Sequence, residues 1–553
     1  MMVLLSLGIA PWAKAQTFDK LWKQVEQAEQ KSLPQTVIQL TDRIYKKAET
    51  ERNSPQMLKA YTWRMKYRET LTPDSFYVSL KGLEQWAETT DKPMDRAVLN
   101  SLIAGIYADY ASSNRWQIRQ RTNIVDEAPS SDIREWSSNM FVQQVMKYTA
   151  GSLQDTGLLL NTSSRIYIPF VKLGDTSEYY HHDMLHLLGS RGVDALNNVM
   201  GLDKDSVVQT SVENVYLGML DAYEKAGMDD GYVLCKLDYL NWKRNSDPTF
   251  VPYRAPQNLI GLTQDPYLAG LDKLKADFKS HDVCAEVYLA KARYAVEKQQ
   301  QVMALQICDE AIRLYPDYKR INALKNLKQE ILNPALYVRA DQVVYPDTDM
   351  KLMVNHKNID GFTVQLYQSK KRVAEQHYSL LRPQNYQNQD TVFTLKAPAI
   401  GEYVMRIVPD AKARENSESK LSVTRFKVLT LRLPGDQYEV VVLDCMSGQP
   451  VEGAVVTLYT NDEKKLTEFT TDSEGKATFP YKREYRYLVA TKGDDTAMPL
   501  QGIYGGSYNY YTDKKPVNSV KLLTDRSLYR PGQTVYVKGI AYMQKSDTAN
   551  VLP

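Results

Sequence analysis

The sequence predicts a helical array over roughly the first 330 residues and small antiparallel β-sandwiches after it. Three observations carry this reading. From Thr17 to about Asn333 the apolar residues recur with the period of a helix. After Asn333-Pro334 they recur with period two, in short runs bounded by polar turns. No helical pattern separates those runs, which favours antiparallel sandwiches over alternating strand and helix.

The helical elements follow in order. Val37, Leu40, Ile44 and Ala48 form one stripe of an amphipathic helix. Ser54-Pro55 supplies an N-cap and a first-turn proline for the next helix, which carries Leu58, Tyr61 and Met65 on one face. Ser206 to Ala226 holds a continuous stripe of Val208, Val212, Val215, Met219 and Ala222. Asp265-Pro266 repeats the cap-plus-proline start for a helix from Tyr267 to Lys279, and Val283 to Lys298 continues the pattern. Tyr288 to Pro316 matches a tetratricopeptide hairpin: Ala292 is the small residue of the first helix, Ala304, Cys308 and Ala311 recur on the second, and Pro316 ends it. Thr36 to Ala48 resembles another such second helix. No repeat of fixed 34-residue period links the two, so an irregular TPR-like array and a plain helical bundle both remain open.

The β half reads as Leu352–Val354, Phe362–Leu366, Tyr403–Val408, Tyr438–Leu443, Ala454–Tyr459 and Ala477–Phe479. Joins are expected near Pro334, between Val423 and Thr430, and between Lys514 and Ser519.

Composition narrows the function classes. The chain has 553 residues, 69 Lys+Arg and 66 Asp+Glu, with both signs interspersed, so a nucleic-acid footprint is not expected. No run of 18 apolar residues occurs, so no transmembrane helix is expected. Tyr (38) far outnumbers Phe (11), which suits half-exposed surfaces. At the N-terminus, the apolar run Val3 to Ala10 precedes Ala13-Lys14-Ala15. It reads as a secretory signal peptide cut before Gln16, with a buried N-terminal helix as the alternative. The cysteines Cys235, Cys284, Cys308 and Cys445 form no C-x-x-C pair. Cys284 and Cys308 are read either as small buried hydrophobes or as a bridge between neighbouring helices.

The end of the chain carries the most specific string. Thr524-Asp525-Arg526, Tyr529-Arg530-Pro531-Gly532-Gln533 and Val535 give T-D-R-x-x-Y-R-P-G-Q-x-V. This resembles the opening of the second macroglobulin-like domain (MG2) of the alpha-2-macroglobulin family. Upstream, Gly448 to Ala454 and Thr471 to Phe479 give "G-x-P-V-x-G-A … T-D-x-x-G-x-A-x-F", a pair found in macroglobulin-like, carboxypeptidase-regulatory-like and Cna-B-type sandwiches. The helical half is similar to that of large bacterial alpha-2-macroglobulin-like proteins, with Tyr180 to Leu196 at a helix-start motif that His186 fits.

These readings divide the chain into a signal peptide (1–15), a TPR-like helical region (16–333), two sandwiches (334–425 and 426–518) and a last segment (519–553); the resemblance implies that the sandwiches are immunoglobulin-like macroglobulin domains and that the last segment starts an MG2 domain. It implies the N-terminal scaffold of an exported endopeptidase inhibitor in the periplasm or outer cell envelope. Its partners would be proteases engaged by a bait region further along, and envelope proteins. The other reading is an envelope scaffold or adhesin whose helical array binds a protein. In the last domain, Val535 and Val537 are expected on the core side, with a bulge near Gly539 bringing Ile540 to join them.

No catalytic, cofactor-binding or metal residue is assigned. The family's thioester needs C-x-E-Q, and here Cys284-Ala285-Glu286 is followed by Val287. His182 and His186 stand at i, i+4 as in a zincin, but Asp183 replaces the catalytic Glu and a third ligand is missing, so a capped helix start is expected. No G-x-S-x-G elbow and no Walker or Rossmann glycine string is present. Asn161-Thr162-Ser163 is a glycosylation sequon. Arg115, Arg119 and Arg121 flank Trp116 on what is expected to be a solvated helix face rather than a nucleic-acid surface.

Overall fold

The computed structural model describes residues 12–121, 132–174, 182–246, 265–410, 418–433, 436–499, 503, 517–525, 534–544 and 550–551. The chain divides into two compact units, residues 1–328 and 329–553.

In the first unit, α1 (Trp12–Gln30), α2 (Pro34–Thr50) and α3 (Ser54–Leu71) surround a small core of Phe18, Trp22, Val25, Val37, Ile44 and Ala60. Then come α4 (Ser75–Thr89), α5 (Pro93–Ser113), α6 (Arg115–Arg119), α7 (Ser138–Ser152), α8 (Thr156–Leu160) and α9 (Met184–Asn198). The unit continues with α10 (Asp205–Lys225), α11 (Asp229–Ser246), α12 (Pro266–Asp277), α13 (Cys284–Glu297), α14 (Gln301–Leu314) and α15 (Ile321–Leu332). Helix α5 is buried on most of its circumference, from Ala97 to Ala111, and the others pack around it. A helix apolar all round belongs at the centre of a core. No helix among the described residues is long and apolar enough to cross a membrane.

Capping explains several boundaries. Asp265 accepts hydrogen bonds from the N–H groups of Tyr267 and Leu268 at 3.0 and 3.2 Å, starting α12 with Pro266 in its first turn. The cap of α3 is Asn53, whose Oδ1 accepts from Gln56 N at 3.2 Å, and not Ser54 as the sequence suggested. Ser54 is already helical, and its hydroxyl bonds to Asp95 instead. The α13–α14 hairpin buries Ala292, Ala304, Cys308 and Ala311, the small residues that let two helices approach closely. Cys284 and Cys308 are buried free thiols, so the bridged reading is not what the structure has.

The second unit begins as the period changes. Helix α15 ends at Leu332 and β1 starts at Ala335. The first sandwich has a three-stranded sheet, β1 (Ala335–Ala340), β3 (Asp349–Lys357) and β6 (Gln389–Lys396). Its five-stranded sheet runs in the order β2 (Val343–Val344), β8 (Glu418–Val423), β7 (Gly401–Pro409), β4 (Gly361–Gln368) and β5 (Lys371–Ser379). Leu352, Val354, Phe362, Val364, Ile407 and Leu421 fill the space between. The pairing is antiparallel except where β2 runs parallel to β8.

The second sandwich pairs β9 (Phe426–Leu433), β10 (Gln437–Asp444) and β13 (Lys476–Pro480) in the order β13-β10-β9. Facing them are β11 (Val455–Tyr459), β12 (Lys465–Thr470), β14 (Tyr487–Lys492) and β15 (Asp495–Ala497), in the order β12-β11-β14-β15. Its separate core holds Val440, Val442, Val456, Leu458, Phe479 and Leu488. Strand alternation shows in the burial of β10, where Tyr438, Val440 and Val442 point inward.

A third sheet comprises β16 (Val517–Thr524), β17 (Val537–Gln544) and β18 (Asn550–Val551). Asp525 Oδ1 accepts from Tyr536 N at 3.0 Å and closes the loop between the first two strands. The register of β16 with β17 runs unbroken from Thr524↔Val537 through Leu522↔Gly539 to Val517↔Gln544. No bulge forms at Gly539, so Ile540 lies on the face opposite Val537; this corrects the expected arrangement. Tyr529, expected at a sandwich edge, lies outside the described residues, as does the apolar run Val3 to Ala10.

Gly475 is required by geometry in the second sandwich. Its φ is +71°, and an added Cβ would lie 2.5 Å from the carbonyl oxygen of Val442. Gly475→Ala is expected to destabilise that sandwich by about 2 kcal/mol. Calorimetry should show the shared transition of the two sandwiches lowered by roughly 4–8 °C while that of the helical unit stays in place. An unchanged transition would contradict the packing described.

Candidate functional site

The histidine cluster is a helix start. Asp183 is 4% exposed and is the N-cap of α9: its Oδ1 accepts from His186 N at 2.6 Å. The same carboxylate accepts from Tyr223 Oη at 3.1 and 3.2 Å, tying α9 to α10. Gly189 allows this closeness, since a Cβ there would meet Met219 Sδ at 2.3 Å. His182 precedes the cap, at φ +55°, and is not on the helix. Its Nε2 lies 2.8 Å from Arg165 Nη2. Arginine can only donate, so Nε2 accepts and its lone pair is committed. The i, i+4 zincin face therefore does not form. Asp183 holds backbone and tyrosine protons, which is structural work and not that of a general base.

His186 points into a cleft of about 500 Å³ lined by α9, α11, α12, α13 and Arg320. Burial lowers its pKa to about 4, so it is a neutral imidazole at pH 7. Opposite, the Arg244 guanidinium lies over the rings of Tyr267 and Tyr294, at 5.0 and 4.7 Å from their centroids, and pairs with Glu297. Glu286 accepts from Tyr318 Oη at 3.0 Å and pairs with Arg320 at 3.3 Å. Tyr267 Oη donates to Asn241 Oδ1 at 2.7 Å. The walls are thus pre-ordered donors and acceptors. The hydroxyls that line this cleft are those of Tyr267 and Tyr294, and the Tyr267 hydroxyl is committed to Asn241.

The remaining sequence candidates are also structural. Glu286 of the Cys-x-Glu string belongs to the cleft wall, and burial pushes the thiol of Cys284 above its ordinary range. Arg115 donates to the carbonyl oxygens of Met200 and Asn198, the latter at 2.7 Å, beyond the last turn of α9. Arg121 donates to Trp136 O at 2.8 Å. Asn161 of the sequon donates to Gly157 O at 2.9 Å at the end of α8. The cleft itself is absent from the sequence reading, because its residues come from four helices with no shared motif. The Asp265-Pro266 cap next to it was the nearest readable signal.

The two sandwiches meet at a two-residue link, Thr424-Arg425. Thr424 N donates to Val344 O at 2.9 Å on the first sandwich. Arg425 N donates to Asp495 Oδ2 at 3.0 Å, and Cys445 N donates to Arg425 O at 2.7 Å, both on the second. Asp495 is fully buried, and Arg425 Nε stands 3.4 Å from its carboxylate. Ser422 Oγ reaches Thr496 O across the joint at 3.4 Å.

The chain is thus a helical array followed by two β-sandwiches in direct succession. Residues 423–501 match the family described as bacterial alpha-2-macroglobulin MG3 domain. That match assigns a macroglobulin domain to this stretch of the chain, the second sandwich. Among solved structures it is similar to native alpha-2-macroglobulin from Escherichia coli spanning domains MG0-NIE-MG1. There the identity is 15% and the TM-score 0.28, covering 31% of this chain and 64% of that one. A Salmonella alpha-2-macroglobulin mutant gives 17% identity and a TM-score of 0.27, covering 38% of this chain and 15% of that one. Trypsin-activated alpha-2-macroglobulin from Escherichia coli gives 12% and 0.17, covering 40% and 22%. The macroglobulin reading of residues 423–501 rests on the domain match and not on these partial likenesses. No curated protein matches the chain.

The buried imidazole has a consequence for stability. The folded pKa of His186, about 4, lies below the unfolded value near 6.5, so acid favours the unfolded chain. The contribution of His186 is complete above about pH 6.5 and is lost as pH falls towards 4, by up to about 3 kcal/mol. Denaturant titrations of wild type and His186→Gln across that window should show the variant with the shallower loss. Equal slopes would contradict burial of a neutral ring.

Proposed function

We propose that this chain is the scaffold portion of an exported alpha-2-macroglobulin-like protease trap and has no catalytic activity of its own. In this reading residues 1–15 are removed on export and 16–333 form a TPR-like docking region. Residues 334–425 and 426–518 are macroglobulin sandwiches, and 519–553 begin an MG2 domain. The location is the periplasm or outer envelope, and the partners are proteases. The observation that carries the proposal is the MG3 match at 423–501, followed within a few tens of residues by the T-D-R-x-x-Y-R-P-G-Q-x-V string. The trypsin-activated state named for the Escherichia coli protein supports a protease as partner.

A second reading, an envelope scaffold whose helical array binds a protein, is favoured by the cleft around His186. Its hydrogen-bonding walls are fixed before any ligand arrives.

The test is to incubate the full-length protein, bait segment included, with trypsin, then separate complexes by size. The trap reading expects a protease that co-migrates with the protein, still cleaves a small chromogenic peptide and has lost activity on a large protein substrate. Trypsin that remains separate and fully active on both substrates would overturn it.

A further inference from the structure

Away from the His186 cleft, the helical unit contains a second cavity, of about 260 Å³, between α4, α7 and the segment around Trp136. Four aromatic rings line it: Tyr77, Tyr107, Trp136 and Tyr148. Tyr107 stacks on Trp136 with centroids 5.2 Å apart and on Tyr148 at 5.9 Å, both nearly parallel. These rings are fixed in place, since all three are less than a tenth exposed.

Two carboxylates stand among them. Glu84 and Glu88 are one turn apart on α4, on the same stripe as Tyr77. Tyr107 Oη and Tyr148 Oη both donate to Glu84 Oε1, at 2.7 and 2.8 Å. The two bonds converge on one oxygen and hold the carboxylate still, while no described residue bonds the other oxygen, Oε2. Burial and the neighbouring Glu84 raise the pKa of both tyrosines, so they stay protonated donors at any physiological pH. The local cations do not neutralise the carboxylates. Lys147 Nζ lies over the Tyr148 ring at 5.0 Å, and the Arg134 guanidinium lies over Tyr77 at 4.7 Å. Among the described residues neither Lys81 nor Lys147 pairs with Glu84 or Glu88.

We propose that this cavity is a binding site for a guanidinium group, an exposed arginine side chain of a partner polypeptide. The electron-rich faces of Tyr and Trp attract a cation, and a planar guanidinium stacks on them where a compact ammonium does not. Its fork of N–H donors suits an immobilised carboxylate oxygen with a second carboxylate beside it. Lys147 covers the Tyr148 face when the site is empty, so the ligand must displace it from that ring. This selects for a group that pairs with the carboxylates better than lysine does. The proposal is independent of the protease-trap reading.

The test is calorimetric titration of the full chain with an acetylated, amidated arginine peptide. Parallel titrations use the same peptide carrying lysine or citrulline, the latter having arginine's shape without its charge. Saturable binding of the arginine peptide is expected, about tenfold weaker with lysine and lost with citrulline. Glu84→Gln keeps an acceptor for the two tyrosines but removes the charge, and should weaken binding at least tenfold with its melting temperature little changed. Glu88→Gln, at the more exposed end of the same stripe, should weaken it less. If Glu84→Gln unfolds, the wild-type peptide comparison and Glu88→Gln still decide. Absence of saturable arginine binding, or equal binding of arginine and citrulline, would overturn the proposal.

Discussion

Buried carboxylates that fasten one element to another are the constraint on which this architecture depends. A charge taken out of water is costly unless hydrogen bonds or a counter-charge compensate it. Here each such group takes hydrogen bonds from atoms far away in sequence, and Asp495 keeps one oxygen buried without a partner. Asp95, 5% exposed, is bound by Ser54 and by Tyr167 Oη at 2.6 Å, joining the starts of α3 and α5 to the segment before α9. Asp183 joins α9 to α10 through Tyr223, and Glu286 joins α13 to the segment before α15. Asp495 fastens the link between the sandwiches. The four make up for a scarcity of regular repeats. In an irregular array neighbouring helices share no repeated surface, so specific polar ties at their ends define how they meet.

The same feature explains why the sequence suggests a site at Asp183 and Glu286 whose carboxylates the structure commits elsewhere. Asp183 between two histidines, or Glu286 two residues after Cys284, reads as a site when only spacing is visible. Three dimensions show the carboxylate of Asp183 occupied by the α9 N-terminus and a tyrosine, and His182 set outside the helix by a left-handed backbone. A catalytic carboxylate has to keep a lone pair directed at the substrate. These are directed at backbone N–H, tyrosine O–H and arginine N–H groups.

What the sequence made legible follows from what each element buries. The change of period at Asn333-Pro334 is visible because helices and strands present apolar residues at different spacings. The α13–α14 hairpin is visible because close helix packing demands small residues at Ala292, Ala304, Cys308 and Ala311. Strand β5 escapes notice because all but Tyr378 of its nine residues are exposed, leaving no alternation to read. The cap of α3 is misplaced by one residue because Asn53 and Ser54 are equally good caps, and only the tie to Asp95 separates them. The cleft around His186 and the aromatic cavity around Glu84 were not legible. Their residues come from several helices, and nothing local marks which faces meet. The family resemblance read from the β half is supported by the domain match, whose 79 residues lie within it.

The central claim is that buried carboxylate ties, not covalent links or repeat packing, set how neighbouring elements join, and the sandwich joint is where it is most exposed to test. The link is only two residues long, and three of its backbone groups are already bonded, so Asp495 should make the sandwiches unfold together. Native-state hydrogen exchange in mild denaturant, read on Val354 and Leu366 in the first sandwich and on Val440 and Val456 in the second, measures this directly. The account predicts matching opening free energies in the wild type. In Asp495→Ala it predicts a second sandwich less stable by roughly 2–4 kcal/mol, opening separately from the first. Two sandwiches that already open independently in the wild type, or an Asp495→Ala variant with unchanged exchange, would contradict it.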